Sequence, residues 1–181
     1  MIIPNLLLIA GTGNKSGKTT FACRVIEQFR NSGIIGIKIT PHFHETTPGL
    51  NLLFSRQGYS IYEETDPESQ KDTSKMLRSG ASHVYFAKVA DSDLTEAFTE
   101  ILNNIPPHAP IVCESPALRH FVIPGLLIIM KSDNPVNNKN INQLLKLPHV
   151  MINLNDLVGM EVLPVCYNGE NWSYNPITGS R

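Results

Sequence analysis

A glycine-rich stretch near the start of the chain contains the residue types that hold phosphate groups. Residues 11–20 read GTGNKSGKTT. Glycines allow main-chain N–H groups to close around phosphate oxygens without a Cβ in the way, and the helix predicted to open at Lys18 would add unpaired donors and a positive dipole end. The Lys18 ammonium suits the β and γ phosphates, and the Thr19 hydroxyl suits Mg²⁺. The stretch therefore predicts a loop that binds a Mg²⁺–nucleoside triphosphate through Gly13, Asn14, Lys15, Ser16, Gly17, Lys18, Thr19 and Thr20.

The match to the full phosphate-loop pattern fails at one position. The pattern places a glycine five residues before Gly17, and this chain has Thr12 there. The surroundings have the expected order, because the apolar run 5–10 (NLLLIA) predicts a buried strand directly before the loop. After the loop, apolar residues recur on one face of the predicted helix: Phe21, Ala22, Val25, Ile26 and Phe29. This order favours a phosphate-binding loop over a turn that binds nothing.

Two charged residues lie within or directly after other predicted strands. Lys38 interrupts the apolar strand 34–40 (IIGIKIT), where it either faces an anion or extends from the strand end into solvent. Glu114 follows the short strand 111–113. Ligands of open parallel sheets bind beyond the carboxyl ends of the strands, where the phosphate loop also lies. Glu114 is therefore predicted to bind the metal together with Thr19, or to orient water.

A candidate base-recognition element follows the most apolar run of the chain, 125–130 (GLLIIM). The run leads into Lys131-Ser132-Asp133, which resembles the Asn/Thr-Lys-x-Asp element of GTP-binding proteins. In that arrangement the lysine stem covers the purine, and the aspartate accepts hydrogen bonds from guanine. The alternative is that Asp133 only ends the strand in a turn before Pro135. The sequence favours GTP as the bound nucleotide and leaves ATP open.

The segment 41–70 is rich in Pro, Thr, Ser and Glu and shows no regular pattern. Connections of this length inside a compact domain are usually functional or disordered, so the segment is predicted to be a lid or a substrate loop. His42 and His44 are two residues apart and would share a face of an extended backbone, where they could bind metal or phosphate. The alternative is that both histidines are solvated.

Length, charge and cysteine content limit the class of protein. The chain has 181 residues, of which 41% are hydrophobic, and this suits a single α/β domain over 1–181. The formal net charge of -1 gives no electrostatic reason to expect a nucleic acid or an anionic membrane as partner. The three cysteines lack CxxC spacing, which predicts reduced thiols and a cytoplasmic protein. The apolar N-terminus is predicted to be the first core strand, not a signal peptide or membrane span.

Predicted strands and amphipathic helices alternate along the chain. Beyond the segments above, helices are predicted over 72–79, 92–105 and 140–147, and strands over 83–87 and 150–152. Asp72 is predicted to cap its helix. Two β-like runs about Asn168-Gly169 predict a C-terminal hairpin near 163–175. The alternation predicts an α/β fold, a three-layer α/β/α sandwich on a mainly parallel central sheet.

Five segments, in the same order, resemble the MobB family, the GTP-binding B protein of molybdopterin-guanine dinucleotide biosynthesis. They are SGKTT (16–20), GIKIT (36–40), KDTSKMLRSGA (71–81), VCES (112–115) and KSDNP (131–135). The resemblance implies a P-loop NTPase fold and a homodimer. It also implies that Lys18 and Thr19 hold GTP and Mg²⁺, that Glu114 belongs to the active centre, and that Asp133 lies at the guanine.

The GTxxxxGKT spacing of residues 11–19, with a lysine in the following strand, is equally similar to dethiobiotin synthetase and its relatives. That resemblance implies an ATP-dependent ligase in which Lys38 is catalytic, beside the reacting phosphate and carboxylate. The ligase is therefore the alternative to a MobB-like NTPase.

Two classes of function remain open. In the first, an enzyme passes the γ-phosphoryl group to water or to a small acceptor held by 41–70, with Lys18, Lys38 and Glu114 as catalytic residues. In the second, a nucleotide-dependent adaptor with slow hydrolysis reports its bound phosphate state to a partner protein. Arg119 is predicted to lie at the surface, so the sequence suggests no arginine finger. Slow turnover is the expectation in both cases.

Overall fold

The structure is a computed structural model that describes residues 1–43, 47–132 and 141–176. Within these ranges the strands are β1 (Ile2–Gly11), β2 (Ile35–Thr40), β3 (Leu50–Arg56), β4 (Tyr59–Glu64), β5 (His83–Val89), β6 (Ile111–Glu114), β7 (Ile123–Lys131), β8 (Val150–Asn153), β9 (Val165–Tyr167) and β10 (Trp172–Tyr174). The α-helices of the same ranges are α1 (Lys18–Gln28), α2 (Asp72–Arg78), α3 (Leu94–Asn103) and α4 (Asn142–Leu145). These bounds agree with the predicted elements to within a few residues, except between β2 and α2.

Eight of the described strands form one sheet, in the spatial order β3-β4-β5-β2-β6-β1-β7-β8. Every pairing from β5 across to β8 is parallel, whereas β3 pairs antiparallel with β4, and β4 with β5. β1 lies between β6 and β7, and its residues from Leu6 to Gly11 are all buried. Burial on both faces is typical of a central strand in a parallel sheet that helices cover on both sides.

Helices cover both faces of the sheet. On one face, Phe21 of α1 and Met76 of α2 pack with Leu7 of β1. On the other face, Phe98 of α3 packs with Leu8 of β1, whose side chain points the opposite way to that of Leu7. The predicted three-layer α/β/α architecture with a mainly parallel sheet is confirmed. No helix in the described part of the chain is both long and apolar enough to cross a bilayer.

The carboxyl ends of β1, β6 and β2 lie side by side at one edge of the sheet. Ile9 of β1 is paired with Glu114 of β6, and Glu114 is paired with Lys38 of β2. The loop from β1 into α1 leaves from this edge, as does the turn after β6. Open α/β sheets bind their ligands at this position.

The prediction of an irregular segment over 41–70 is wrong for its central part, which forms the antiparallel hairpin β3–β4 at the edge of the sheet. Gly58 makes the turn with a φ of 90°. Tyr59 and Ile61 are buried with the residues of α3, so the hairpin removes apolar surface from water that an irregular loop would expose. The sequence signal is Gln57-Gly58 between two β-like runs, which the many polar residues nearby obscure.

The region of the predicted C-terminal hairpin contains β9 and β10, which pair antiparallel as a separate two-stranded sheet. Trp172 of β10 is buried, and its ring meets the Phe29 ring edge-on with centroids 5.2 Å apart. The Trp172 Nε1 donates a hydrogen bond to the Asn5 carbonyl oxygen at 2.9 Å. These contacts attach the hairpin to the α1 side of the core.

Candidate functional site

The segment from Gly11 to Gly17, here called the glycine-rich loop, joins β1 to α1. Gly17 precedes the helix with a φ of 84°, in the left-handed region that favours glycine. A Cβ on Gly11 would lie 2.3 Å from the Ser16 Oγ, which is closer than two heavy atoms can approach. Lys15 also has a positive φ, of 55°, and this conformation costs an ordinary residue about 1–2 kcal/mol. The loop thus follows a tight path that glycine permits at two positions and that strains a third.

Lys18 lies folded back over this loop. Its Nζ donates to the Gly13 carbonyl oxygen at 3.0 Å and to the Ser16 Oγ at 3.1 Å. The first-turn N–H groups of α1 open onto the same concavity, because a helix leaves its first four N–H groups without intrahelical partners. An ammonium group and a helix N-terminus therefore meet inside one curved segment of main chain, which is an arrangement that attracts an oxyanion.

Thr12 occupies the position where the phosphate-loop pattern has a glycine, and the structure gives a reason for the exchange. The Thr12 backbone has no positive φ, so the position does not require glycine. The Thr12 Oγ1 accepts a hydrogen bond from the Ser132 N–H at 2.8 Å, and the Thr12 N–H donates to the Met130 carbonyl oxygen at 3.0 Å. The threonine therefore ties the glycine-rich loop to the end of β7.

Lys38, Asp72 and Glu114 form a group of charges beside the loop, here called the Lys38 cluster. The Lys38 ammonium forms an ion pair with the Asp72 carboxylate, and it lies 3.9 Å from Glu114 Oε2. Lys75, one turn further along α2, lies 3.5 Å from the other oxygen of Asp72. The cluster joins β2, β6 and the start of α2. One lysine therefore faces two carboxylates from different elements.

Glu114 is the buried member of the Lys38 cluster, with a side chain that is 5% exposed. Burial raises the pKa of Glu114, against the opposing effects of the Lys38 charge and of a hydrogen bond from the Thr19 hydroxyl. Glu114 Oε1 has no hydrogen-bond partner among the residues that the structure describes. Burying a carboxylate oxygen without a hydrogen-bond partner costs free energy. A ligand with a positive charge or a donor group would supply that partner.

Asp72 differs from the predicted helix cap. The residue at the N-cap position is Lys71, and no side chain caps α2. Partial burial acts to raise the pKa of Asp72, but the hydrogen bond and charge of Lys38, together with the charge of Lys75, outweigh it and leave the pKa below its usual range. The carboxylate is therefore ionised at neutral pH and directed at Lys38, so its position serves the cluster and not the helix end.

A cleft of about 820 Å³ lies between the glycine-rich loop and the Lys38 cluster. Ligand sites in proteins commonly have this size and this position at the carboxyl edge of a sheet. The predicted site residues that line the cleft are Asn14, Lys15, Ser16, Gly17, Lys18, Thr19, Thr20, Lys38, His42 and Glu114. Gly13 contributes through its bond to Lys18. The structure thus brings the predicted phosphate-binding and catalytic residues together around one cavity.

One described residue of the prediction does not join this group, and two others are not described. Lys131 is exposed at the end of β7 and is not part of the cleft lining found among the described residues. Asp133 and His44 lie outside the described residues. The sequence-based assignments of Asp133 to guanine and of His44 to metal or phosphate therefore stay predictions.

Asp72 and Leu154 are among the residues of the site that the sequence did not indicate. Asp72 enters through its ion pair with Lys38. Leu154 directly follows β8 and lines the cleft, and its Cδ2 lies 3.0 Å from where a Cβ on Gly17 would stand. Both residues sit at the sheet edge where ligands bind. Two sequence features could have identified them: Leu154 follows a predicted strand, and Asp72 is a charged residue at the start of a predicted helix.

Arg119 is buried, contrary to the prediction of a surface arginine. It is 8% exposed, and its Nη1 donates to the Val122 carbonyl oxygen at 2.9 Å. Its Nε is buried and has no hydrogen-bond partner within the described ranges. Arg119 does not line the cleft, so the guanidinium is directed at its own turn and not at the candidate site.

The candidate metal ligands are a pair of side chains. Within residues 1–43, 47–132 and 141–176, no group of three or more His, Cys, Asp and Glu is arranged to hold a metal ion. Mg²⁺ in nucleotide sites commonly takes one or two protein ligands and completes its shell with phosphate oxygens and water. Thr19 and Glu114 fit that role, because a hydroxyl lies beside a buried carboxylate that has one oxygen without a partner among the described residues.

Comparison with protein-family models, with curated proteins and with solved structures gave no match to this chain. The resemblance to the MobB family therefore stays a prediction from the five sequence segments. The functional interpretation rests on the geometry of the loop, the cluster and the cleft.

Proposed function

We propose that the protein binds a Mg²⁺–nucleoside triphosphate in the cleft and hydrolyses it slowly. The observation that carries the proposal is the position of the Lys18 ammonium, which lies over the glycine-rich loop at the N-terminus of α1. A triphosphate would replace the Gly13 carbonyl and the Ser16 hydroxyl as partners of this ammonium. The main-chain N–H groups of the loop and of α1 would hold the remaining phosphate oxygens.

Thr19 and Glu114 are the residues that would hold Mg²⁺. The support is the oxygen chemistry of the pair and the buried Glu114 Oε1, which has no partner within the described part of the chain. When bound, Mg²⁺ would neutralise charge on the β and γ phosphates. The Glu114 carboxylate lines the cleft and would also orient an attacking water.

Hydrolysis would form a bond from the water oxygen to the γ-phosphorus while the bond from that phosphorus to the β,γ-bridging oxygen breaks. The nucleoside diphosphate would leave, and the proton that the water loses would pass to an oxygen of the released phosphate. Lys18 would neutralise charge that develops on the phosphate oxygens. No arginine lines the cleft among the described residues. An arginine finger contributes about 10³–10⁵ to the rate in enzymes of this kind, so turnover is expected to be slow.

GTP is the nucleotide that we favour. The reason is the sequence Lys131-Ser132-Asp133 at the end of β7, the strand next to β1 and its loop. An aspartate can accept hydrogen bonds from guanine N1–H and from the 2-amino group, whereas adenine offers neither donor on that edge. Two charge-assisted hydrogen bonds of ~1.5–3 kcal/mol each would favour GTP over ATP by at least about tenfold.

An ATP-dependent ligase or kinase is the second candidate, and one observation favours it. Lys38 lines the cleft beside the predicted phosphate site and is also a wall of a smaller neighbouring cavity. In this second candidate, Lys38→Ala should stop any turnover that depends on an added carboxylate or amine. If no acceptor from a broad panel raises the rate above basal hydrolysis, the ligase has no support.

The deciding experiment is titration calorimetry of GTP, ATP and XTP with Mg²⁺, together with phosphate release. The wild type should bind GTP more tightly than ATP, and Asp133→Asn should weaken GTP and strengthen XTP, because an amide donor matches the 2-oxo group of xanthine. Binding of none of the three nucleotides would overturn the proposed function. A preference for ATP, or an Asp133→Asn variant with unchanged preferences, would remove only the guanine assignment.

A further inference from the structure

Glu64 is a buried carboxylate that the proposed function does not use. It is the last residue of β4, and its side chain is 0% exposed. Its two oxygens accept hydrogen bonds from the Asp66 N–H at 3.0 Å, from the Lys71 Nζ at 2.8 and 3.0 Å, and from the Thr73 hydroxyl at 2.7 Å. A buried carboxylate needs such partners to offset the loss of water, so Glu64 and its three partners form one connected group.

Two of these partners lie on either side of Asp72 in the sequence. Lys71 directly precedes Asp72, Thr73 directly follows it, and α2 begins at Asp72. Thr73 is buried, whereas the Asp72 side chain is 36% exposed and forms the ion pair with Lys38. Glu64 therefore holds both neighbours of the residue that faces Lys38, while it makes no contact with Lys38 itself.

The start of α2 depends on tertiary contacts for its position. The helix has seven residues, and no side chain caps its first turn. A helix this short is marginal by itself. Met76 packs in the core and holds the middle of the helix, so the place of its first residue depends on what holds Lys71 and Thr73.

We propose that Glu64 is a positioning residue for the Lys38 cluster. It fixes the two neighbours of Asp72 and thereby directs the Asp72 carboxylate at the Lys38 ammonium in the cleft. A shift of about 1 Å in a catalytic group can lower a rate roughly 100-fold, so loss of the Glu64 bonds should reduce turnover although Glu64 does not line the cleft. The effect on turnover rests on the proposed function, whereas the effect on Asp72 does not.

The first test measures the surroundings of Asp72 in the full chain without nucleotide, by NMR titration of its carboxyl carbon. Partial burial acts to raise the Asp72 pKa, but the hydrogen bond and charge of Lys38 outweigh it. Thr73→Val keeps the shape of the side chain, removes one bond to Glu64 and changes no charge. The Asp72 pKa should rise toward its ordinary value in this variant, because the contact with Lys38 weakens.

Glu64→Gln gives the same test with an opposing electrostatic effect. Removal of a nearby negative charge would by itself lower the Asp72 pKa, so a rise in this variant can come only from a displaced carboxylate. Thr73→Ser retains the hydroxyl and should restore the wild-type pKa. Glu63→Gln is the matched control on β4, because the Glu63 carboxylate lies 2.7 Å from the His83 Nδ1 and does not contact α2. It should change neither the Asp72 pKa nor turnover.

The second test measures phosphate release from Mg²⁺–GTP. Turnover should fall by roughly tenfold in Glu64→Gln and in Thr73→Val, while nucleotide affinity changes by less than about threefold. In an Asp72→Asn background the same substitutions should change turnover by less than about twofold, because the contact through which they act is already absent. A residue that only stabilised the fold would lower turnover equally in both backgrounds.

Three outcomes overturn the inference: an Asp72 pKa that does not rise in either variant, turnover that is unchanged in both, and equal losses of turnover in the two backgrounds. A Thr73→Val protein that fails to fold would identify the Glu64 group as structural and would also overturn it. Turnover of the wild type would in each case leave the proposed function standing. A rise of the Asp72 pKa in a protein that binds no nucleotide would support the positioning of Asp72 and overturn the proposed function.

Discussion

The glycine-rich loop and the Lys38 cluster face each other across one cleft, but they are built in different ways. The loop and its lysine are contiguous in sequence, and their geometry depends on local φ angles and on close approaches such as that of Gly11 to Ser16. The cluster joins Lys38 to Asp72, 34 residues away, and to Glu114 through strand pairing. One half of the site is therefore encoded locally, and the other half exists only when the sheet has its correct register.

The two carboxylates of the Lys38 cluster also differ from each other in burial and in pKa. Glu114 lies at the end of a central strand and is almost completely buried, whereas the Asp72 side chain is 36% exposed at the start of α2. Both face the same lysine, yet the pKa of Glu114 is raised by burial and the pKa of Asp72 is lowered by Lys38. The degree of burial of each carboxylate decides whether desolvation or the interaction with Lys38 has the larger effect on its pKa.

The largest expected effect concerns the glycine-rich loop. Lys18→Ala removes the ammonium that lies over the loop, and with it about two charge-assisted hydrogen bonds to phosphate, so Mg²⁺–nucleotide affinity should fall by at least about 100-fold. Calorimetric titration measures the affinity, and circular dichroism should show an unchanged fold. Lys146→Ala is the control at an exposed lysine. Unchanged affinity in a folded Lys18→Ala protein would exclude a phosphate role for the loop.

The next largest effect concerns Glu114 of the Lys38 cluster. Glu114→Gln keeps the size of the side chain but cannot carry the negative charge assigned to metal binding and water orientation, so turnover should fall by roughly 100-fold. Nucleotide affinity should change by less than about threefold, because the loop supplies most of the ground-state contacts. Steady-state phosphate release and calorimetry separate the two quantities. Equal losses of affinity and of folded protein would instead identify Glu114 as a structural carboxylate.

A smaller effect tests how the loop is attached to the sheet. Thr12→Gly restores the motif glycine but removes the hydroxyl that accepts the Ser132 N–H bond, so we expect a loss of about 1–2 kcal/mol in the free energy of unfolding and no gain in nucleotide affinity. Thr12→Ser retains the hydroxyl and serves as the matched control. Urea unfolding and GTP titration measure both variants. A Thr12→Gly protein that is fully stable and binds GTP more tightly would mean that the motif, and not the anchor, governs this position.

The smallest effects concern the pH dependence of stability that the two carboxylates of the Lys38 cluster give. Asp72 has a lowered pKa, so its contribution to stability is present above its ordinary pKa and is lost as the pH falls through the lowered value. Asp72→Asn should therefore cost up to about 1 kcal/mol at pH 7, after allowance for solvent screening of this partly exposed pair. The cost should shrink as the pH falls below the ordinary pKa of an aspartate. Urea unfolding between pH 3 and pH 8 measures the change.

Glu114 should show the opposite dependence in the same unfolding series. Its raised pKa means that the folded chain binds the proton more tightly than the unfolded chain, so wild-type stability falls as the pH rises from the ordinary pKa to the raised one. Glu114→Gln should gain stability relative to the wild type across that interval and hold a constant difference above it. The same sign of pH dependence for both variants would contradict the assigned burial of the two carboxylates.

Sequence patterns predicted most of the sheet, the glycine-rich loop, and Lys38 and Glu114 of the Lys38 cluster. Apolar runs such as the one in β1 are buried on both faces, and the periodic apolar face of α1 packs on the sheet as expected. The β3–β4 hairpin was missed because β3 does not alternate strictly: it places Leu52 and Leu53 next to each other, and both are exposed. Arg119 was misplaced because burial of an arginine depends on the turn around it, which composition does not describe.

The sequence by itself determined the path of the glycine-rich loop and the alternation of strands and helices, because both depend on sterics and periodicity within a few neighbouring residues. Only the tertiary structure decided that β6 lies between β1 and β2, which sets Glu114 beside Lys38. It also decided that the start of α2 brings Asp72 to the same lysine. Strand order follows from the packing of all strands and helices together, so no short segment contains it, and the Lys38 cluster and the cleft follow from that order.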